Sequence, residues 1–274
     1  MVLDVLLARQ VVVLIATAIA AYTDYKTGLI YDKITYPLIA IGLLLNLVEQ
    51  NWMGIGLGIA VFAFGYALYW LGKIGGGDVK LFIGIALAMP FAGNYPFILL
   101  VLFAASLCSV AVVSVQYVAA YALKGIDWKE NRENTRRAAL FAIVFIAYFF
   151  LLGQQSAITT LGIALLGVPL LLGLVFFALE KGIRRNFFLK EKKLAELEED
   201  ELAAKEFMDA DIVKKAGLKE KGILDQKSIE ALKALGVTTV PVYQGLPKFG
   251  PFILAGVLIT LWMPNYLQLL FNFA

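Results

Sequence analysis

The sequence predicts an all-α polytopic membrane protein, and three observations carry that reading. Of its 274 residues, 61% are hydrophobic and only 16% are charged, where a soluble domain carries about a quarter charged residues. The apolar residues gather into about eight stretches near the roughly 20 residues needed to cross ~30 Å of hydrocarbon as a helix. The basic residues also fall almost entirely on one side of those stretches, as loop charges do in a membrane protein.

The stretches are residues 3–22, 30–48, 54–72, 79–92, 97–122, 138–153, 157–179 and 249–271; they are of uneven quality, so six to eight spans fit. The first reads as a retained span. Asp4 and Arg9 interrupt its start and no A-x-A-like site follows, so it does not read as a cleaved signal peptide. The fourth has 14 residues and reaches about 21 Å at 1.5 Å per residue, so its Asp78 end is expected in a protein-lined, wet cavity. The sixth is short as well. Threading the spans with the N-terminus outside leaves Arg9 as the one basic residue of 24 on that side. Asp24 and Asp78 then lie near the cytoplasmic face of a multi-pass plasma-membrane protein.

Residues 181–248 differ in composition, with 14 Lys and Arg against 12 Asp and Glu. Lys190 to Phe207 and Gln226 to Leu235 read as helices, and Gly236 to Tyr243 as a strand. The division that follows is a membrane domain over 1–180, a small cytoplasmic α or α+β domain over 181–248, and a last span over 249–274; a solvated charged linker is the alternative for the middle part. The net charge of +3 is small and spread over loops, which gives nucleic-acid binding little support.

The residue inventory narrows the chemistry. Histidine is absent and Cys108 is the single cysteine. That excludes His-assisted nucleophilic catalysis, His or thiolate metal cages and an internal disulfide framework, so no metal or cofactor is expected. Two aspartates stand where apolar surroundings make a carboxyl costly: Asp24, after the first stretch, and Asp78, in Gly75-Gly76-Gly77-Asp78. Taken alone, the second is also a glycine-rich turn with an Asp cap, and the first an interfacial turn with Tyr and Lys anchors. Taken together they fit an aspartyl dyad, in which two carboxyls share one proton and need neither histidine nor metal. Gly75 and Gly77 would serve substrate binding or structure, by positive φ or by letting another backbone come close. Lys80 would either add to the local positive field or snorkel its ammonium to the surface.

These stretches resemble the prepilin and preflagellin peptidases, membrane aspartyl proteases of the GxGD type. The family's first aspartate opens a D-x-x-x-x-x-I-P-N-x-x-T-like stretch, similar to Asp24 through Thr35 here, and its second lies in G-x-G-D-x-K, similar to Gly75 through Lys80. Lys248-Phe249-Gly250-Pro251-Phe252 is similar to the family's P-F-G-P-F. Tyr31-Asp32 departs from the usual Pro-Asn and leaves Asp32 as a third carboxylate, read as structural or substrate-facing. The missing C-x-x-C pairs and the insertion look more like the archaeal branch. The resemblance implies an endopeptidase with Asp24 and Asp78 as its catalytic pair. It would remove a short basic leader, ahead of an apolar helix, from archaellin or type IV pilin-like precursors in the lipid bilayer.

Two rivals share some of these features. A presenilin or signal-peptide-peptidase relative also uses G-x-G-D, but Thr23 precedes Asp24 and Val168-Pro169-Leu170 is a weak echo of its P-A-L. A carboxylate-based ion-coupled transporter would have related halves, and none are evident. The glycine run further predicts an empty site that holds the two carboxyls too far apart for a direct hydrogen bond.

Overall fold

The computed structural model describes residues 2–197, 201–218 and 222–271, with side chains from Val5 onward. In chain order the first part comprises helices α1 (Val2–Thr27), α2 (Asp32–Val48), α3 (Trp52–Trp70) and α4 (Gly76–Ala88), a two-residue hairpin β1 (Phe91–Ala92) and β2 (Tyr95–Pro96), and helices α5 (Phe97–Lys124), α6 (Trp128–Gln154) and α7 (Thr160–Ala178). There follow α8 (Glu180–Ile183), β3 (Leu189–Lys193), β4 (Leu202–Ala203), α9 (Ala210–Lys215), α10 (Gln226–Ala234), β5 (Thr239–Tyr243), α11 (Gly250–Trp262) and α12 (Tyr266–Leu270). The chain divides into two compact units, one of residues 1–116, 138–176 and 248–274, the other of 117–137 and 177–247.

Among the described residues, five helical segments are long and apolar enough to cross a membrane: Val5–Thr27, Trp52–Trp70, Phe97–Lys124, Trp128–Gln154 and Thr160–Ala178. The helices α2, α4 and α11 are apolar but shorter. Two expectations change here. The sixth stretch is not short, because its helix starts at Trp128 and runs through the charged turns ahead of the apolar run. The last stretch is not one helix. It ends at Trp262 and restarts as α12, because Pro264 forces Met263 out of helical geometry (φ −129°, ψ 67°). The returning segment is held by the Tyr266 hydroxyl, which donates to the Leu100 carbonyl at 2.7 Å.

The core of the first unit is built around α4. Val79 and every residue from Leu81 to Ala88 are buried, with α2 and α3 packed along it. The approach is close enough to dictate composition: a Cβ on Gly42 of α2 would stand 2.5 Å from the Ala88 nitrogen, so only glycine fits there. α1 packs on α11, and Val13, Leu38, Leu81, Ile85, Phe97, Val101, Ile253 and Val257 share one apolar cluster.

The second unit is α+β. Its sheet is antiparallel in the order β3-β5-β4, over a core of Ala203, Ala216, Leu224, Leu232, Val240 and Val242. β5 and α10 lie within the stretches expected to be strand and helix, α10 being capped by Asp225, which accepts from the Ser228 amide at 2.9 Å. The expected helix over Lys190 to Phe207 is absent from the described residues of that stretch, which form β3, β4 and two single turns; residues 198–200 lie outside the described set. Lys and Glu favour helix only weakly, and pairing with the Val-rich β5 overrides them, leaving the lysines of β3 to charge an edge strand. Pro241 sits in the central strand at no cost to the β3 ladder. Its carbonyl accepts from Ala204, so its hydrogen-less nitrogen faces the β4 side, past the end of that short strand. On this unit the Tyr243 phenol is pushed up to about 12, first by burial and then by its hydrogen bond to Glu206. Burial works to raise the Glu206 carboxyl, but Tyr243 and Arg184 outweigh it and hold that carboxyl below its ordinary range.

Candidate active site

Asp24 lies in the last turn of α1, which ends when Gly28 adopts φ +73° and donates its amide to the Asp24 carbonyl at 2.8 Å. Its side chain is buried, at the negative end of its own helix, an unfavourable place for a carboxylate. The offset comes from another helix. Gly250, the first residue of α11, donates its backbone N–H to Asp24 Oδ2 at 2.8 Å. The free amides of a helix start suit an anion. A Cβ on Gly250 would stand 2.8 Å from both the Cβ and Oδ2 of Asp24, so the contact requires glycine. Two residues earlier, Lys248 Nζ donates to the Tyr25 carbonyl at 2.8 Å and caps the end of α1. The Lys-Phe-Gly-Pro-Phe segment thus clasps the Asp24 turn through both a side chain and a backbone amide.

Asp78 occupies the third position of α4, after Gly75 at the N-cap, and so is not itself the cap. Its carboxyl turns back over Gly75, with Oδ2 2.9 Å from where a Gly75 Cβ would stand, and interacts with the Gly75 backbone. The first turn of a helix favours that charge as well. Asp24 and Asp78 are near enough for their charges to interact.

Of the two roles expected of the glycines, close approach is the one seen. None of Gly75, Gly76 and Gly77 has a positive φ; Gly75 is extended (φ −73°, ψ 149°) and the other two are helical. What glycine permits is close approach: a Cβ on Gly77 would stand 3.0 Å from the Ile30 carbonyl oxygen and 3.1 Å from the Ile30 Cβ. The backbone after Asp24 thereby lies against the first turn of α4. Lys80 Nζ pairs with Asp32 Oδ1 at 2.6 Å, over the Tyr36 ring at 5.0 Å. This partly exposed pair joins α4 to α2 and assigns the third carboxylate a structural partner. Thr35, the last residue of the first motif, is fully buried, and its hydroxyl has no partner among the described residues.

Two residues at the opposite end of α4 were not singled out from sequence as site residues. Arg9 is buried and donates to the Leu87 and Ala88 carbonyls at 3.3 and 2.6 Å, to Asn46 Oδ1 at 3.2 Å and to Glu49 Oε2 at 2.8 Å. Asn46 Nδ2 also donates to the Leu87 carbonyl at 2.8 Å. These bonds satisfy carbonyls that a helix ending among apolar neighbours would otherwise leave bare. The signal for Arg9 was its place as the one basic residue set apart from the other 23 when the expected spans are threaded.

Fold and site together describe a helical protein with several segments long and apolar enough to cross a membrane, a buried carboxyl at the end of α1 and a second, half-buried one in the first turn of α4. Residues 11–114 match the model of the type IV leader peptidase family, which bears out the resemblance read from the motifs and places both Asp24 and Asp78 inside the matched stretch. The chain is 40% identical over 88 residues to prepilin peptidase EppA of Methanothermobacter thermautotrophicus, an alignment covering 29% of this chain and 23% of that protein. The shared stretch thus spans less than a quarter of the relative's length. No solved structure matches the chain.

Proposed function

We propose that this protein is a membrane aspartyl endopeptidase. It removes the short basic leader from archaellin or type IV pilin-like precursors at the cytoplasmic face of an archaeal plasma membrane, with α2, α4 and α11 as shorter intramembrane segments and residues 181–248 as a cytoplasmic domain. The observation that supports the reading is the placing of Asp24 against the start of α11 and of Asp78 in the first turn of α4, near enough for their charges to interact, with both aspartates inside a stretch matching a leader peptidase family.

In this reading the two carboxyls hold one proton and one water between them. The ionised member takes a proton from the water as its oxygen attacks the scissile carbonyl carbon, while the protonated member donates to the carbonyl oxygen. As the adduct collapses the C–N bond breaks, the carboxyl that took the water's proton gives it to the leaving amine, and an adduct hydroxyl returns a proton to the other carboxylate, which restores the single shared proton. The Gly250 amide occupies Oδ2 of Asp24 and leaves the other oxygen for water. Gly75, Gly77 and the Ile30 backbone shape the surface along which the precursor lies.

The test is processing of a co-expressed precursor. Asp24→Asn and Asp78→Asn each abolish cleavage while the protein still accumulates in the membrane, and Asp32→Asn retains it. Full processing by either dyad variant would sink the mechanism.

A further inference from the structure

We propose that Arg9 is a positioning residue that locks the axial register of α1 against α4 and so sets the height at which Asp24 meets Asp78. The inference rests on the dyad reading above.

The two helices touch at both ends of α4. Arg9, near the start of α1, binds the carbonyls at the end of α4, while Asp24, at the end of α1, interacts with Asp78 at the start of α4. The helices therefore run antiparallel, with one tie at each end. Fifteen residues separate Arg9 from Asp24, about 23 Å of helix. Nine separate Asp78 from Leu87, about 14 Å. The two spacings differ by about 9 Å, and the Arg9 side chain bridges from α1 to the end of α4 across that offset.

The lock is stiff for a chemical reason. A guanidinium is planar, always charged and presents its donors in a fixed fork. Here that fork engages acceptors on α4, on α2 and at the Glu49 cap of α2. A slip of α1 by one turn, about 5.4 Å, would leave a buried charge and the Ala88 carbonyl unpaired at once, while Asn46 keeps the Leu87 carbonyl, and an apolar interior penalises that heavily. Lysine keeps the charge but loses the fork.

The experiment pairs kinetics with a distance. Arg9→Gln lowers kcat for precursor cleavage about tenfold or more and leaves KM within about twofold, since the dyad loosens while the substrate surface stays. Arg9→Lys recovers part of kcat. In a Cys108→Ser background, spin labels at Lys26→Cys and Lys80→Cys give a narrow distance distribution by pulsed electron resonance, and Arg9→Gln broadens or shifts it. If Arg9→Gln does not accumulate, Arg9→Lys carries both measurements. Normal kcat together with an unchanged distribution in these variants overturns the lock. A protein that cleaves no precursor at all but shows the distance change would refute the peptidase reading and leave the lock standing.

Discussion

Helices α4 and α6 are both apolar, yet one is buried on every side from Leu81 to Ala88 and only 6% of the other's apolar window is buried. Length separates them. At 27 residues α6 can leave both ends in polar surroundings and give its flanks to lipid. At 13 residues α4 cannot, so each of its ends must find polar partners within the protein. Asp78 and Gly75 supply them at one end and Arg9 and Asn46 at the other. The shorter helix therefore carries the demanding contacts, and hydropathy alone does not distinguish the two.

The contrast breaks if substitutions in the two helices behave alike. The largest expected difference is chemical: Asp78→Asn lowers precursor cleavage about a thousand-fold, within the range lost with a catalytic acid or base, while Arg136→Gln in the exposed first turns of α6 stays within about twofold. Next is packing. Gly42→Ala places a Cβ against the Ala88 backbone and should destabilise by about 1–3 kcal/mol. Gly167→Ala, in α7 with open space around it, should be neutral or stabilise by up to about 1 kcal/mol. Thermal unfolding in one detergent compares them, and equal shifts would show that α4 is not tightly enclosed. Gly77→Ala removes no titratable group, yet it should lower kcat about tenfold by pressing on Ile30. Smallest is the surface pair: Lys80→Gln and Asp32→Asn should each cost under about 1 kcal/mol, as partly exposed ion pairs do, and leave cleavage within about threefold. A larger loss at Lys80 would move it from structure into the site.

Much of this was legible in the residues. Long apolar runs announce helices because nothing else satisfies the backbone in hydrocarbon, and an inventory without histidine singled out Asp24 and Asp78 as candidates. Other features depend on contacts that no local pattern records. Lys190 to Lys193 form a strand because Val240 and Val242 lie beside them, a decision taken some fifty residues downstream. Gly77 was marked for positive φ or for close approach; the structure shows the second, and only contacts could name Ile30 as the neighbour. The Lys248 to Phe252 motif was visible, while the role of the Gly250 amide was hidden because a backbone donor has no letter in the sequence.

That amide has a consequence for biosynthesis. Asp24 and Gly250 are 226 residues apart, so a nascent chain inserts α1 long before the ribosome has made the helix start that receives its carboxyl. Contacts of such separation form late. Until then Asp24 waits at the end of α1 without its donor, and a chain halted before Lys248 would hold both aspartates and still lack the clasp that seats one of them. Assembly of the site is thereby tied to synthesis beyond Gly250, which in the proposed reading delays cleavage until that helix start exists.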